Sequence, residues 1–346
     1  MKNNKKTPKH QGTISTWGKI IVAAIEDMNG DVEFLLTSVG LKLEDINKVD
    51  SRIADIQLRE LYQVCSNELG IESFGLYLGR YIKTFTFQSL GFALMVSKDI
   101  HDFLIRIENY GSVISNSAYA KLHLVESKQR FTVNIYKDQE GKPLIPPAAI
   151  EAFFVGLLNI LKELTNQDLA DVKVYLPIET PTNQQVYQDS FACQVQFNAA
   201  QFAIEFDQQT LEIPIISANH VLAEHQDKLV EMYLSKISSN LEQQVYYRVV
   251  KLLNAGNLSL DSLAEDMHLS TRNLQLKLKE HDTSFQVLRD KALQNEAQLL
   301  LGNSNYGITE IAYMLEFANG AGFTRAFKRW TGLSPAEFRK NNQADN

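Results

Sequence analysis

Two short stretches of this chain gather basic side chains with no acid among them. Arg272–Lys279 (RNLQLKLK) and Arg325–Arg329 (RAFKR) each hold three Lys or Arg residues and no Asp or Glu. Such side chains neutralise phosphates, and a guanidinium pairs in bidentate fashion with a guanine edge, so the chemistry on offer is recognition of a polyanion. The chain as a whole runs the other way, with a formal net charge of −7 over 346 residues. From Val245 onward 12 Lys and Arg stand against 11 Asp and Glu, a net +1, which leaves −8 upstream. The C-terminal part is therefore the better candidate to meet a polyanion.

The elements that must carry these side chains show an internal repeat. LDSLAEDMHLSTRNLQLKLKE from Leu260 and ITEIAYMLEFANGAGFTRAFKR from Ile308 align so that Leu263, Ala264, Met267 and Leu269 match Ile311, Ala312, Leu315 and Phe317. After one extra residue Leu274, Leu278 and Lys279 match Phe323, Phe327 and Lys328. A unit used twice is expected to fold the same way twice. Each copy reads as a short helix, a tight turn and a second helix, with small Ala264 and Ala312 allowing a close crossing. In the first copy His268-Leu269 turns the chain and Ser270 is an N-cap for a helix from Thr271.

On that helix Leu274, Leu278 and His281 fall on one arc and are expected to pack inward, leaving Arg272, Gln275, Leu276 and Lys279 outward. In the later copy Phe323, Phe327 and Trp330 face in, while Ala321, Thr324, Arg325 and Lys328 face out. Asn319 and Gly320 open this second helix, and Gly320 and Gly322 each cost about 1 kcal/mol in helix propensity against Ala. Either their bare backbone lets a helix N-terminus approach a phosphate or base edge, or they relieve crowding at the turn. Between the copies TSFQVLRDKALQNEAQLLL reads as one helix, with Thr283 and Gln286 as a capping box and an apolar stripe from Phe285 to Leu300. At 1.5 Å per residue its stretch from Ser284 to Leu301 spans roughly 27 Å. That is the order needed to set two helices into adjacent major grooves, roughly 34 Å apart.

This pattern, closing with F-x-R-x-F-K-R-x-x-G-x-S-P-x-x-F-R from Phe323 to Arg339, resembles the DNA-binding domain of the AraC/XylS transcription regulators over about 100 residues from near Gln244 to Lys340. The resemblance implies base reading by Arg272, Gln275, Thr324 and Arg325, and phosphate contacts by Lys279, Lys328 and Arg329, with Ser270, Leu276, Asn319 and Gly320 completing the DNA-facing set. This chain departs from the pattern in two ways. Leu276 stands where many relatives carry a basic residue and offers a surface for a thymine methyl. Glu316 stands at a turn position where Gly is usual.

Upstream, helical and strand patterns mix. SRIADIQLRELYQVCSNELG and DIHDFLIRIENYGSV read as amphipathic helices, and KLHLVE and RFTVNIY as a hairpin. Pro146-Pro147 open the buried helix AAIEAFFVGLLNILKEL, and VKVYL, CQVQF and FAIEF read as strands. The expected fold is an α+β domain over residues 14–216 after a polar tail of residues 1–13, a helical linker at 217–243, and an all-α domain at 244–340 with two helix-turn-helix units, followed by a tail at 341–346. The segment LGRYIKTFTFQSLGFALMVSKDIHDFLIRIENY resembles the arabinose-binding-like regulatory domain of one branch of the same family. That implies an effector pocket, for which the apolar surroundings of Phe153 and Phe154 offer either a lining or plain core.

Other classes find little support. No G-x-S-x-G, H-E-x-x-H or phosphate loop occurs, the seven histidines are scattered, and Cys65 and Cys193 are too few for a disulfide framework. No metal or cofactor is expected, and no apolar run of about 18 residues suggests a membrane span. RNA binding is disfavoured because the outward faces lack aromatics to stack unpaired bases. The expectation is a cytoplasmic, sequence-specific regulator of transcription, an effector-responsive activator and homodimer whose partners are double-stranded DNA, RNA polymerase and a small-molecule effector. The rival is an enzyme or small-molecule-binding protein using the C-terminal domain as an interaction module.

Overall fold

The computed structural model describes residues 12–344 apart from 49, 72, 126–127, 139–140, 238–240, 242–244, 246–247, 250–251, 254–255, 268, 282 and 304–305. The chain divides into two compact units, Met1–Ile237 and Ser238–Asn346.

In the first unit, strand β1 (Thr13–Ile14) leads into helix α1 (Ser15–Asp27), followed by α2 (Val32–Ser38) and α3 (Leu43–Asn47). Strand β2 (Arg52–Ile53) pairs antiparallel with β1. The amphipathic pattern runs from Ser51, but helix α4 covers only Asp55–Glu68. Arg52 stays extended because its guanidinium donates to the carbonyls of Gly12, Ser112, Val113 and Ile114. Helices α5 (Phe74–Gly79), α6 (Gln88–Met95) and α7 (Ile100–Tyr110) precede the hairpin of β3 (Ala118–Val125) and β4 (Lys128–Ile135). The connection expected at residues 127–129 is shorter than that: Lys128 and Gln129 already belong to β4, paired with Val125 and Leu124, and Ser127 lies outside the described residues. Next come α8 (Pro147–Thr165), β5 (Lys173–Tyr175), α9 (Gln184–Phe191), β6 (Gln194–Gln196), β7 (Phe202–Phe206), α10 (Gln208–Leu211) and α11 (His220–Ile237).

The main sheet has the order β3-β4-β7-β5-β6, antiparallel except for the parallel pair β5-β6. Period-two alternation sends Phe131 and Val133 of β4 and Phe202 and Ile204 of β7 into the core, whereas Arg130 pairs in register with Glu205 on the opposite face. Helix α8 starts with Pro147 at its first position, where the missing N–H has no intrahelical partner to lose. It is buried on most sides and packs closely on α5: a Cβ on Gly75 would lie 2.2 Å from the carbonyl oxygen of Ala148. Cys65 is fully buried, as its helical setting predicts.

Helix α11 docks on this unit through Val230, which is buried, and through polar pairs. Arg106 of α7 donates to both oxygens of Asp227 at 3.0 and 3.1 Å, Tyr110 donates to Glu231 at 3.2 Å, and Tyr233 donates to Gln88 at 2.8 Å.

The second unit contains α12 (Leu260–Asp266), α13 (Thr271–Glu280), α14 (Phe285–Asn303), α15 (Ile308–Met314), α16 (Gly320–Thr331) and α17 (Pro335–Ala344). Part of the segment expected to join the two domains lies outside the described residues. Two separate apolar cores form here. One gathers Val245, Val249, Leu263, Leu274 and Leu278 around Leu288 and Ala292 of α14, and the other gathers Ile311, Leu315, Phe323 and Phe327 around Leu293, Ala297 and Leu301 of the same helix.

Candidate nucleic-acid interface

The two helix-turn-helix units repeat one set of hydrogen bonds. In the first, Leu269 N–H donates to the carbonyl of Ala264 at 2.8 Å; in the second, Phe317 N–H donates to Ala312 at 2.9 Å. Met267 N–H donates to Leu263 at 3.1 Å, and Leu315 N–H to Ile311 at 3.0 Å. The caps match too: Ser270 Oγ accepts from Asn273 N–H at 3.2 Å, and Asn319 Oδ1 accepts from Gly322 N–H at 2.8 Å. Each cap occupies one of the N–H groups that a helix start leaves without a partner and sets the direction in which α13 or α16 leaves the turn. Ser270 and Asn319 therefore have a local structural task in addition to any contact with a ligand.

The turn of the second unit keeps its shape without a glycine. Glu316 adopts a left-handed conformation with φ of +60°, at a cost of about 1–2 kcal/mol for a residue with a side chain. The matching residue of the first unit, His268, lies outside the described residues.

On α13, Arg272, Gln275, Leu276 and Lys279 are all exposed, while Leu274 and Leu278 are fully buried. Leu276 is 52% exposed, so its branched end is available to a thymine methyl. The expectation that His281 packs inward fails: it is exposed, because α13 ends at Glu280 and His281 is already the C-cap. The helical arc does not extend that far. The capping box expected at Thr283 and Gln286 is also absent. Ser284 Oγ accepts from Val287 N–H at 3.3 Å, Gln286 turns to Asp290 at 2.8 Å, and the buried Thr283 hydroxyl has no partner among the described residues.

On α16, Arg325 and Lys328 are exposed, and like Arg272 and Lys279 they hold no salt bridge among the described residues. Two neighbours are already engaged. Thr324 donates its hydroxyl to the carbonyl of Gly320 at 2.8 Å, leaving its lone pairs and methyl for a partner. Arg329 donates to Asp290 of α14 at 2.8 Å while remaining 65% exposed, so a phosphate would compete with that carboxylate. Gly320 and Gly322 are not demanded by crowding. A Cβ on Gly320 would find nothing nearer than Thr309 Oγ1 at 3.4 Å, and one on Gly322 nothing nearer than Asn319 Oδ1 at 3.4 Å.

The closing sequence pattern has a structural basis. Gly332 ends α16 in the left-handed region at φ +79°, where glycine carries no steric penalty. Ser334 and Glu337 form a reciprocal cap, Ser334 N–H to Glu337 at 2.8 Å and Glu337 N–H to Ser334 at 3.3 Å, and the Ser334 hydrogen bonds hold the Glu337 carboxyl below its usual range. Phe338 stacks edge-on against Phe327, and Arg339 donates to the carbonyls of Leu301 and Tyr306 at 3.3 and 2.8 Å. The role of Arg339 in tying α17 to the end of α14 has no sequence signal beyond its place in the motif.

In the first unit an apolar cavity of about 60 Å³ lies between the sheet and helices α1, α4, α7 and α8. Phe153 lines it, whereas Phe154 is fully buried core. Its other walls, including Trp17, Ile107, Tyr119 and Val133, come from segments far apart in the sequence. Only the fold brings them together.

Exposed basic faces on two capped, duplicated helices define a DNA-binding protein of the helix-turn-helix class. Comparison with known families agrees on both halves of the chain: the arabinose-binding domain of AraC transcription regulators, N-terminal, matches residues 30–215, and a helix-turn-helix domain matches residues 263–341. The chain belongs to the AraC family and is a DNA-binding transcription regulator, not an enzyme. Among curated relatives, the ornithine utilization regulator of Pseudomonas aeruginosa is 23% identical over 88% of this chain and 90% of its own length. The regulator VqsM of the same organism is 23% identical over 77% and 83%. Among solved structures, the regulator CdpR of Pseudomonas aeruginosa aligns over 94% of this chain and 98% of its own, with a TM-score of 0.45 and 16% identity.

Proposed function

We propose that this regulator reads one face of a duplex through two adjacent major grooves, with α13 in one and α16 in the next. Arg272, Gln275, Leu276, Thr324 and Arg325 contact base edges, and Lys279, Lys328 and Arg329 contact phosphates, with Ser270, Asn319 and Gly320 aiming the helix starts. The observation that carries this reading is the repetition of one hydrogen-bond framework on either side of α14, with basic faces outward both times. The protein acts in the cytoplasm as an effector-responsive activator, engages RNA polymerase, and binds as a homodimer, which multiplies the effective affinity of four helix-turn-helix units. Among the described residues no helix is long and apolar enough to cross a membrane.

The test is selection of bound fragments from genomic DNA, followed by gel shifts in rising salt. The expected result is a bipartite site whose halves lie one helical turn apart, with affinity falling steeply as salt rises. Binding to a single half-site with no preference for the second would overturn the two-groove reading.

A further inference from the structure

The cavity in the first unit has walls that select against charge. Trp17, Ile107, Val133, Ile145, Ile150 and Phe153 form most of its surface, and no charged side chain lines it. Its polar lining is largely occupied with itself: Thr13 donates to Ser115 Oγ at 3.2 Å, which also accepts from Ser117 N–H at 3.2 Å. A carboxylate or ammonium entering this space would lose its hydration and meet only neutral hydroxyls, with no charged partner.

One wall of the cavity also faces the last helix of the unit. Helix α7 and the turn after it give Ile107 and Gly111 to the cavity. The residues immediately before them, Arg106 and Tyr110, hold α11 through Asp227 and Glu231. Arg106 is 9% exposed and is further bound by Asp102 and Ser97. A displacement of α7 from the cavity side therefore acts directly on the pairs that hold α11.

The geometry points to an effector site that takes an uncharged, largely apolar small molecule and reports its arrival to α11 through α7. This rests on the reading of the chain as an effector-responsive regulator and names the effector's chemical class. The sheltered space is about 60 Å³, smaller than such a molecule, and it is open on one side, so full entry presses on the walls, α7 among them. The Arg106–Asp227 pair resists displacement of the α7 wall. Ligand binding and release of α11 are then linked, and by reciprocity weakening the pair strengthens binding.

The test uses the full chain, 1-octanol as the probe, and octanoate, ornithine and L-arabinose as comparisons. Trp17 lies in the wall, so tryptophan emission reads occupancy, and the thermal midpoint gives a second measure. The expected result is saturable binding of 1-octanol with a raised midpoint and at least tenfold weaker binding of the other three. Ala120→Leu, which fills the cavity from β3, should weaken octanol at least tenfold, with Ala118→Val as a milder filler should that variant not fold. Asp227→Asn should tighten octanol binding at least threefold. The proposal is overturned if octanol leaves emission and midpoint unchanged, if a folded filler binds it as the parent does, if octanoate, ornithine or arabinose binds equally well, or if Asp227→Asn leaves its affinity unchanged. None of these measurements involves DNA, so their failure and the failure of duplex binding are separate results.

Discussion

Arg272 and Lys328 separate two ways of meeting a duplex. Arg272 lies in the first turn of α13 and is exposed, the place from which a guanidinium reaches a base edge. Arg272→Ala is expected to cost about 1–3 kcal/mol on the preferred site and to relax preference at one base position. Lys328 lies in the last turn of α16. Lys328→Ala should weaken binding to every duplex and lower the salt slope by about 1. Competitive gel shifts at several salt concentrations check both, and equal behaviour of the two variants would remove the distinction between base and phosphate contacts. A third residue acts on stability alone. Glu151, buried in α8, has its carboxyl pushed up to about 7 by desolvation, from an ordinary value of 4.5. The folded state therefore holds a proton that the unfolded state releases above 4.5, and the first unit loses stability as pH rises from about 4.5 through about 7. The full effect above that window is about 3 kcal/mol. Glu151→Gln should remove it, so the difference in urea midpoint between variant and parent should grow from pH 5 to pH 8; a constant difference would contradict this account.

The starts and turns of the DNA-binding helices carry the next predictions. Because a Cβ fits at both positions, Gly320→Ala and Gly322→Ala should each stabilise α16, by up to about 1 kcal/mol. If the bare backbone serves close approach, the same changes should weaken duplex binding. Denaturant titration and gel shift together test the trade, and unaltered affinity would return the glycines to a purely conformational role. At the turn, Glu316→Gly should raise stability by up to about 1 kcal/mol, whereas Glu316→Val should lower it by about 1–2 kcal/mol, since a β-branched residue is strongly disfavoured at positive φ. These details mark where reading the sequence succeeds. The repeat, the start of α13 at Thr271 and the inward aromatics of α16 were legible, because periodicity and capping are local. The early end of α13, which exposes His281, and the use of Ser284 in place of Thr283 were not, because the residue at which a helix starts or stops depends on competition among neighbouring caps. The engagement of Arg329 by Asp290, 39 residues away, and the walls of the cavity depend on tertiary contacts that no local pattern contains.

At the scale of the whole molecule, one helix belongs to both DNA-reading cores. Leu288 and Ala292 serve one and Leu293, Ala297 and Leu301 the other, so the N-terminal and C-terminal halves of α14 are each anchored. With 19 residues it is about 28 Å long. Among the described residues the two helix-turn-helix motifs are joined by this continuous helix, and the expected tolerance for operators of varied geometry is correspondingly small. Adding one base pair between the half-sites turns the second by roughly 34° and carries it about 3.4 Å along the axis. The expected outcome is a loss of at least tenfold in affinity that is not restored when about ten base pairs are added, because a rigid α14 cannot reach roughly 34 Å further along the axis, and footprinting on a spacer series would measure it. A flat response across the series would mean that α14 bends. On the proposed two-groove reading the helix is a fixed-length gauge: promoters answering to this protein are expected to share one spacing, and to tolerate changes in sequence more readily than changes in length.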